Sequence, residues 1–179
     1  MHEYHIEGGF PIKGSVKASG NKNAALPCIA AAVLTSYPVT LKGLPEIEDV
    51  AVMFEIFQSF GGVVKKNAPN EYTLRLESVR STETPSDLAQ KLRASILFAG
   101  PLLARSGRAV MPPPGGDVIG RRRLDTHFLA LTELGAQVKI NGHFIFTANK
   151  LIGQDIFLDE ASVTATENAV MAAATAEGD

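Results

Sequence analysis

The chain predicts a mixed α/β fold of repeated βαβαββ units, and three observations carry that expectation. Segments 21–34 (NKNAALPCIAAAVL), 91–104 (KLRASILFAGPLLA) and 166–178 (TENAVMAAATAEG) share one design, polar at the start and rich in Ala, Leu or Met afterwards. They recur at roughly seventy residues, a period typical of stacked supersecondary units. Each of the first two is followed by an amphipathic run that stops at glycine, and then by a hairpin pattern.

Segment 21–34 reads as a helix buried on most sides, and Cys28 within it as inert core. Residues 47–62 place Val50, Met53, Phe54, Phe57 and Phe60 on one stripe, with Gly61 where a C-terminal glycine stop belongs. Residues 63–76 alternate as a hairpin. The second unit repeats the plan. Segment 91–104 is its buried helix. Residues 123–136 carry Phe128, Leu131 and Leu134 and stop at Gly135, and 137–148 form a hairpin turning at Asn141-Gly142. One unit is thus strand, helix, strand, helix, hairpin, complete at 11–76 and again at about 77–148. A third unit, 149–179, reaches only its first helix. A unit that cannot bury both faces leaves apolar surface uncovered, so a longer chain or a second chain is expected to complete it, and self-association through that surface is an open route.

Composition narrows the function. The 179 residues, 45% hydrophobic, suffice for a folded domain with a real core. The net charge of −2 provides no global field for nucleic acid. The basic charge is local instead, which suits a small anionic ligand. One cysteine excludes an internal disulfide and any cysteine-based metal spacing, and fits a reducing cytoplasm. No signal peptide and no membrane-spanning run is read in the sequence.

The run PPPGGDVIGRRRLD, 112–125, sets one carboxylate, Asp117, on a glycine-containing loop beside Arg121, Arg122 and Arg123. Either this is a plain charge cluster at a helix start, or it is a proton donor poised beside an anionic substrate.

Four motifs, GNKNAALP, LRASILFAGPLLAR, PGGDVIGRRRLDTH and SVTATENAVMAAATAEG, stand in the order in which they occur in the enolpyruvyl transferases. The chain resembles that family over essentially its whole length. The resemblance implies an inside-out α/β barrel of two lobes, with the active site in the cleft between them. Residues 1–20 would be a strand segment of the other lobe. Residues 21–179 would be an incomplete substrate-binding lobe, with repeats at about 21–76, 77–148 and 149–179. The implied reaction moves the enolpyruvyl group of phosphoenolpyruvate to the 3-hydroxyl of UDP-N-acetylglucosamine and releases phosphate, the first committed step of peptidoglycan synthesis. No cofactor, metal, nucleic acid or membrane is implied.

The same resemblance assigns roles to residues. Lys22, Asn23 and Arg122 would contact phosphoenolpyruvate. Arg93, Arg122, Arg123, Leu124, Asp125, Thr126, Ser162 and Val163 would hold the nucleotide sugar. Asp117 would be the proton donor at a position where many members carry cysteine, with Lys22 and Arg122 acting beside it. A free Asp has a pKa of about 3.9, so it must gain its proton when the loop closes over bound anions. Gly115 and Gly116 would let that loop swing. Arg123, Glu160 and Thr164 depart from the residues common in the family, and His127 is expected to cap or pack. The plain alternatives are an exposed lysine, a helix-capping Asn23 and a solvated arginine run. At the level of function, the alternatives are a non-catalytic ligand-binding half-module and the enolpyruvyl transferase of the shikimate pathway. The chain alone is expected to be inactive, because the family's general base lies in the other lobe.

Overall fold

The computed structural model describes residues 3–116 and 123–178. Helix α1 (Lys22–Ala31) starts at Asn21, whose side-chain oxygen accepts from the Ala24 N–H at 3.1 Å and satisfies one of the first-turn donors. A 3-10 turn, Ala32–Leu34, ends it. Strand β1 (Val39–Lys42), helix α2 (Glu48–Ser59) and the hairpin β2 (Val63–Ala68) and β3 (Glu71–Arg75) complete the first unit. Its sheet is antiparallel in the order β1-β3-β2, with Val39 opposite Leu74 and Val64 opposite Leu74 on the other side.

The second unit is built on the same plan. A short helix α3 (Ser86–Ala89) leads into a 3-10 stretch, Arg93–Phe98, that runs on as α4 (Ala99–Ser106). Strand β4 (Arg108–Met111), helix α5 (Asp125–Glu133) and the hairpin β5 (Gln137–Asn141) and β6 (His143–Thr147) follow. Their sheet has the matching order β4-β6-β5. Helix α6 (Val163–Ala173) opens the third unit. Gly61 and Gly135 both adopt left-handed φ, +99° and +96°, just past α2 and α5, as glycine stops require.

The three alanine-rich helical segments pack on one another, with the two sheets outside them. Small side chains permit that approach, so Ile29, Ala30, Ala99, Leu102, Ala165 and Ala172 are buried where the segments meet. The units share one core. Phe60, ending α2, meets Phe98 of the second unit edge-on at 5.1 Å between ring centres, an arrangement that favours aromatic pairs beyond the area they bury. No helix among the described residues is long and apolar enough to cross a membrane.

Three expectations are corrected. The leading strand of each unit is not formed as a strand. Residues 3–20 form no strand ladder among the described residues, with Tyr4, Ile6, Phe10, Ile12 and Val16 exposed. The second and third leading strands reduce to single parallel bridges, Glu83 to Val110 and Ile152 to Glu177. A strand exists only through its neighbour's hydrogen bonds, which local pattern cannot supply. The third helix begins at Val163, ahead of the alanine-rich run, because the Ser162 hydroxyl accepts from Ala165 N–H and caps it there. Cys28 is exposed, not core: α1 turns Ala25, Leu26, Ile29 and Ala30 inward and leaves Ala24 and Cys28, one turn apart, to solvent. In the third unit Phe157, Val163 and Val170 also stand exposed.

Candidate active site

The repeat brings the starts of its three helical segments to one place. Lys22 and Asn23 open α1, Arg93 opens the 3-10 stretch, and Ser162, Val163 and Thr164 open α6; all line one cavity of about 560 Å³. Leu26, Leu92 and Leu97 form its apolar floor, and Arg123, Glu160 and Glu167 complete the wall. Backbone N–H groups at a helix start lack intrahelical acceptors and carry partial positive charge, so this end of the molecule favours an anion. Lys22 and Arg93 add full charges to it.

The cations are positioned rather than loose. The Lys22 ammonium is ion-paired to Asp49 in the first turn of α2. Arg93 Nη2 donates to the Arg123 carbonyl at 3.0 Å, tying the segment before α5 to the second helical start. The Arg123 guanidinium faces three carboxylates: it is bound through Nε and Nη2 to Asp125, through Nη2 to Asp159 at 3.1 Å, and lies 3.8 Å from Glu160. That pairing raises its already high pKa, Asp125 contributing most. Arg123 therefore clasps the approach to α5 against the approach to α6.

The loop that carries Asp117 is docked at its near end. A Cβ on Gly115 would sit 1.8 Å from the Gln90 carbonyl oxygen, so only glycine fits there. Gly115 N–H donates to Ala89 at 3.0 Å and Gly116 N–H to Gln90 at 3.2 Å. The expected hinge pair is thus packed beside Arg93, because close backbone approach is what its missing side chains permit. Asp117, Arg121 and Arg122 lie outside the described residues.

Of the residues expected from sequence, Lys22, Asn23, Arg93, Arg123, Ser162 and Val163 meet in the cavity wall. Leu124 is the cap of α5, Asp125 is engaged with Arg123, and Thr126 is 1% exposed with its hydroxyl unpartnered among the described residues. These three are not among the residues that line the cavity. Sequence reasoning missed Asp49, Glu167 and Asn168. Glu167 lines the cavity, and burial pushes its carboxyl up from the usual range. Asn168 is fully buried: its amide oxygen accepts from Gly100 N–H at 2.9 Å, and its nitrogen donates to the Ile96 carbonyl at 2.8 Å and to His127 Nδ1 at 3.0 Å. His127 Nε2 lies 3.1 Å from the Thr164 hydroxyl. A buried asparagine in an apolar helix face was the available signal for this network, since buried amides need partners.

His127 is 2% exposed, and its pKa is pulled down to about 4, by burial first and by the nearby Arg93 charge second. The folded state therefore binds fewer protons than the unfolded state between about pH 6.5 and pH 4. Stability from this group is present above pH 6.5 and lost as pH falls through 4, on the order of 3 kcal/mol over the window. Urea midpoints measured from pH 7 to 4 should fall, and His127→Gln should flatten that part of the curve; an equal decline in the variant would assign it to the carboxylates.

The chain is 67% identical over 178 residues to a UDP-N-acetylglucosamine 1-carboxyvinyltransferase of Treponema denticola, and 66% identical to that of Treponema pallidum. It covers 99% of itself but 42% of each of these relatives, so it spans less than half their length. Among solved structures it superposes on the enolpyruvyl transferase NikO of Streptomyces tendae with a TM-score of 0.78 at 25% identity, over 96% of this chain and 40% of that one. An EPSP synthase of Acinetobacter baumannii shares the fold, with a TM-score of 0.71 at 21% identity, over 92% of this chain and 39% of the other. The fold is accordingly the inside-out α/β fold of these enzymes, helices within and sheets outside. The model of one family matches residues 6–179, and the chain belongs to that family, the EPSP synthases (3-phosphoshikimate 1-carboxyvinyltransferases).

Proposed function

We propose that the chain is the nucleotide-sugar-binding part of an enolpyruvyl transferase that moves the enolpyruvyl group of phosphoenolpyruvate to the 3-hydroxyl of UDP-N-acetylglucosamine, releasing phosphate. The observation that carries this reading is the meeting of Lys22, Asn23, Arg93, Ser162 and Val163 at three helical starts around one cavity. Lys22 and Asn23, with Arg122, take the phosphoenolpyruvate anion. Arg93, Arg122 and the segment 123–126 hold the nucleotide sugar with Ser162 and Val163. Asp117 protonates the CH2 carbon of the enol, which leaves the neighbouring carbon cationic for attack by the sugar hydroxyl. Loss of a proton and of phosphate then restores the double bond. This chemistry needs cations, an acid and a base, all of which side chains can supply. The reading places the reaction in the cytoplasm, at the first committed step of peptidoglycan synthesis.

The names of the relatives at 67% and 66% identity favour UDP-N-acetylglucosamine over shikimate 3-phosphate as acceptor. Arg123 supports the nucleotide sugar indirectly, since three carboxylates already occupy it and it acts as a clasp rather than as a free phosphate ligand. Turnover by the 179 residues alone is expected to be negligible, because one cleft wall cannot preorganise both reactants. The test is phosphate release from phosphoenolpyruvate by this chain, alone and mixed with a fragment covering the remaining length of its relatives, with each acceptor in turn. Release only in the mixture and only with UDP-N-acetylglucosamine is expected. Release with shikimate 3-phosphate instead transfers the assignment to that acceptor, and ready turnover by the chain alone overturns the role given to the second wall.

A further inference from the structure

The Asn168 amide can be oriented without ambiguity. Gly100 N–H can only donate and the Ile96 carbonyl can only accept, so the atom 2.9 Å from the first is oxygen and the atom 2.8 Å from the second is nitrogen. That nitrogen also lies 3.0 Å from His127 Nδ1 and has a second hydrogen to give. Nδ1 must then be the bare, accepting nitrogen of a neutral ring, and the ring proton sits on Nε2. The low pKa of His127, about 4, agrees with a neutral ring at physiological pH. Nε2–H therefore donates to the Thr164 oxygen, 3.1 Å away. The Thr164 hydroxyl hydrogen has no acceptor among the described residues, and Thr164 lines the cavity beside Lys22 and Arg93.

We propose that Thr164 is a ligand-contacting, specificity-determining residue: the Asn168–His127 relay holds its hydroxyl as a hydrogen-bond donor directed into the cavity, where it takes a phosphate oxygen of the nucleotide. This deepens the proposed function and rests on that reading. A hydroxyl free to rotate takes either a donor or an acceptor on its ligand. One whose oxygen already accepts from a fixed N–H has its hydrogen turned away from that N–H, so it favours an acceptor over a donor, although a second lone pair remains. Lys22 and Arg93 in the same wall favour an acceptor that carries negative charge, which selects phosphate over a carbonyl. His127 and Asn168 are positioning residues, since neither is among the residues lining the cavity.

Calorimetric titration of the whole 179-residue chain with UDP and with uridine tests the contact. Thr164→Val, close to isosteric, should weaken UDP about tenfold and leave uridine unchanged, and Thr164→Ser should restore UDP binding. Asn168→Asp presents an oxygen to Nδ1 and favours the other tautomer, so it should give the same loss with Thr164 untouched. Nitrogen-15 spectra of the unmodified chain report the tautomer directly, and are informative even if Asn168→Asp does not fold. An Nδ1–H ring, or UDP binding by Thr164→Val equal to that of the unmodified chain, overturns the proposal. If the unmodified chain binds shikimate 3-phosphate but neither UDP nor UDP-N-acetylglucosamine, the functional reading fails first and this inference falls with it.

Discussion

Replacing Asp117 with Asn is expected to lower enolpyruvyl transfer by about 10²–10⁴-fold in the complemented assay, the range that a positioned general acid contributes. An enol is a poor electrophile until its terminal carbon is protonated, and an amide has no proton to give at neutral pH. In sequence Asp117 follows directly after Gly116, whose N–H donates to the Gln90 carbonyl at 3.2 Å. Bound phosphate and exclusion of water favour the protonated acid. The rate should therefore fall as pH rises past the carboxyl pKa of the bound complex. Asp117→Cys should retain turnover and carry this decline to higher pH, since a thiol starts near 8.5 rather than 3.9. The cysteine variant should also become sensitive to epoxides that alkylate thiols, while the Asp protein resists them. Turnover by Asp117→Asn within about threefold of the unmodified protein would remove Asp117 from the chemistry, because so small a change lies far below any general-acid contribution.

What could be read from the sequence follows the range of the forces involved. Helices α2 and α5 were legible because their apolar stripes and glycine stops are local, and Gly61 and Gly135 have the left-handed backbone that those stops require. The hairpins were legible for the same reason. The leading strands were not, because Glu83 and Ile152 pair with residues 27 and 25 positions away, and residues 3–20 form no ladder among the described residues. Lys22 and Arg93 could be placed together because the repeat makes them equivalent, and three-fold repetition of a helix start is itself a way to build an anion site. Asp49 and the Asn168 relay escaped notice because their meaning lies in partners on other elements: Lys22 for the first, Gly100 and His127 for the second. Arg123 stood in the motif expected to touch substrate, yet its guanidinium is taken up by Asp125, Asp159 and Glu160, a contest between neighbours that no single segment reveals.

Arg105→Met is expected to cost about 4 kcal/mol of folding free energy, from four hydrogen bonds at roughly 1 kcal/mol each. Arg105 lies in the last turn of α4, where a cation is favoured, and its guanidinium reaches back into the first unit. Nη1 donates to the carbonyls of Val33 and Thr35 at 2.7 and 2.8 Å, and Nη2 to those of Leu76 and Glu77 at 2.6 and 3.0 Å. Val33 lies in the 3-10 turn after α1, and Leu76 follows β3, so one side chain pins both to the second unit. Burial lowers the guanidinium pKa, a sign that the group is partly desolvated, and so these bonds are worth more than exposed ones. Methionine keeps the apolar stem and gives up every donor, which isolates the hydrogen bonds from packing. Lysine keeps the charge but not the planar fork that serves two pairs of carbonyls, so Arg105→Lys should recover less than half of the loss. Urea titration should show a lower midpoint at constant slope, and the thermal midpoint should fall by about 12 °C for a chain of this size. A loss below about 1 kcal/mol, the worth of a single bond, would mean that water replaces the guanidinium at these carbonyls and that the shared apolar core alone joins the two units.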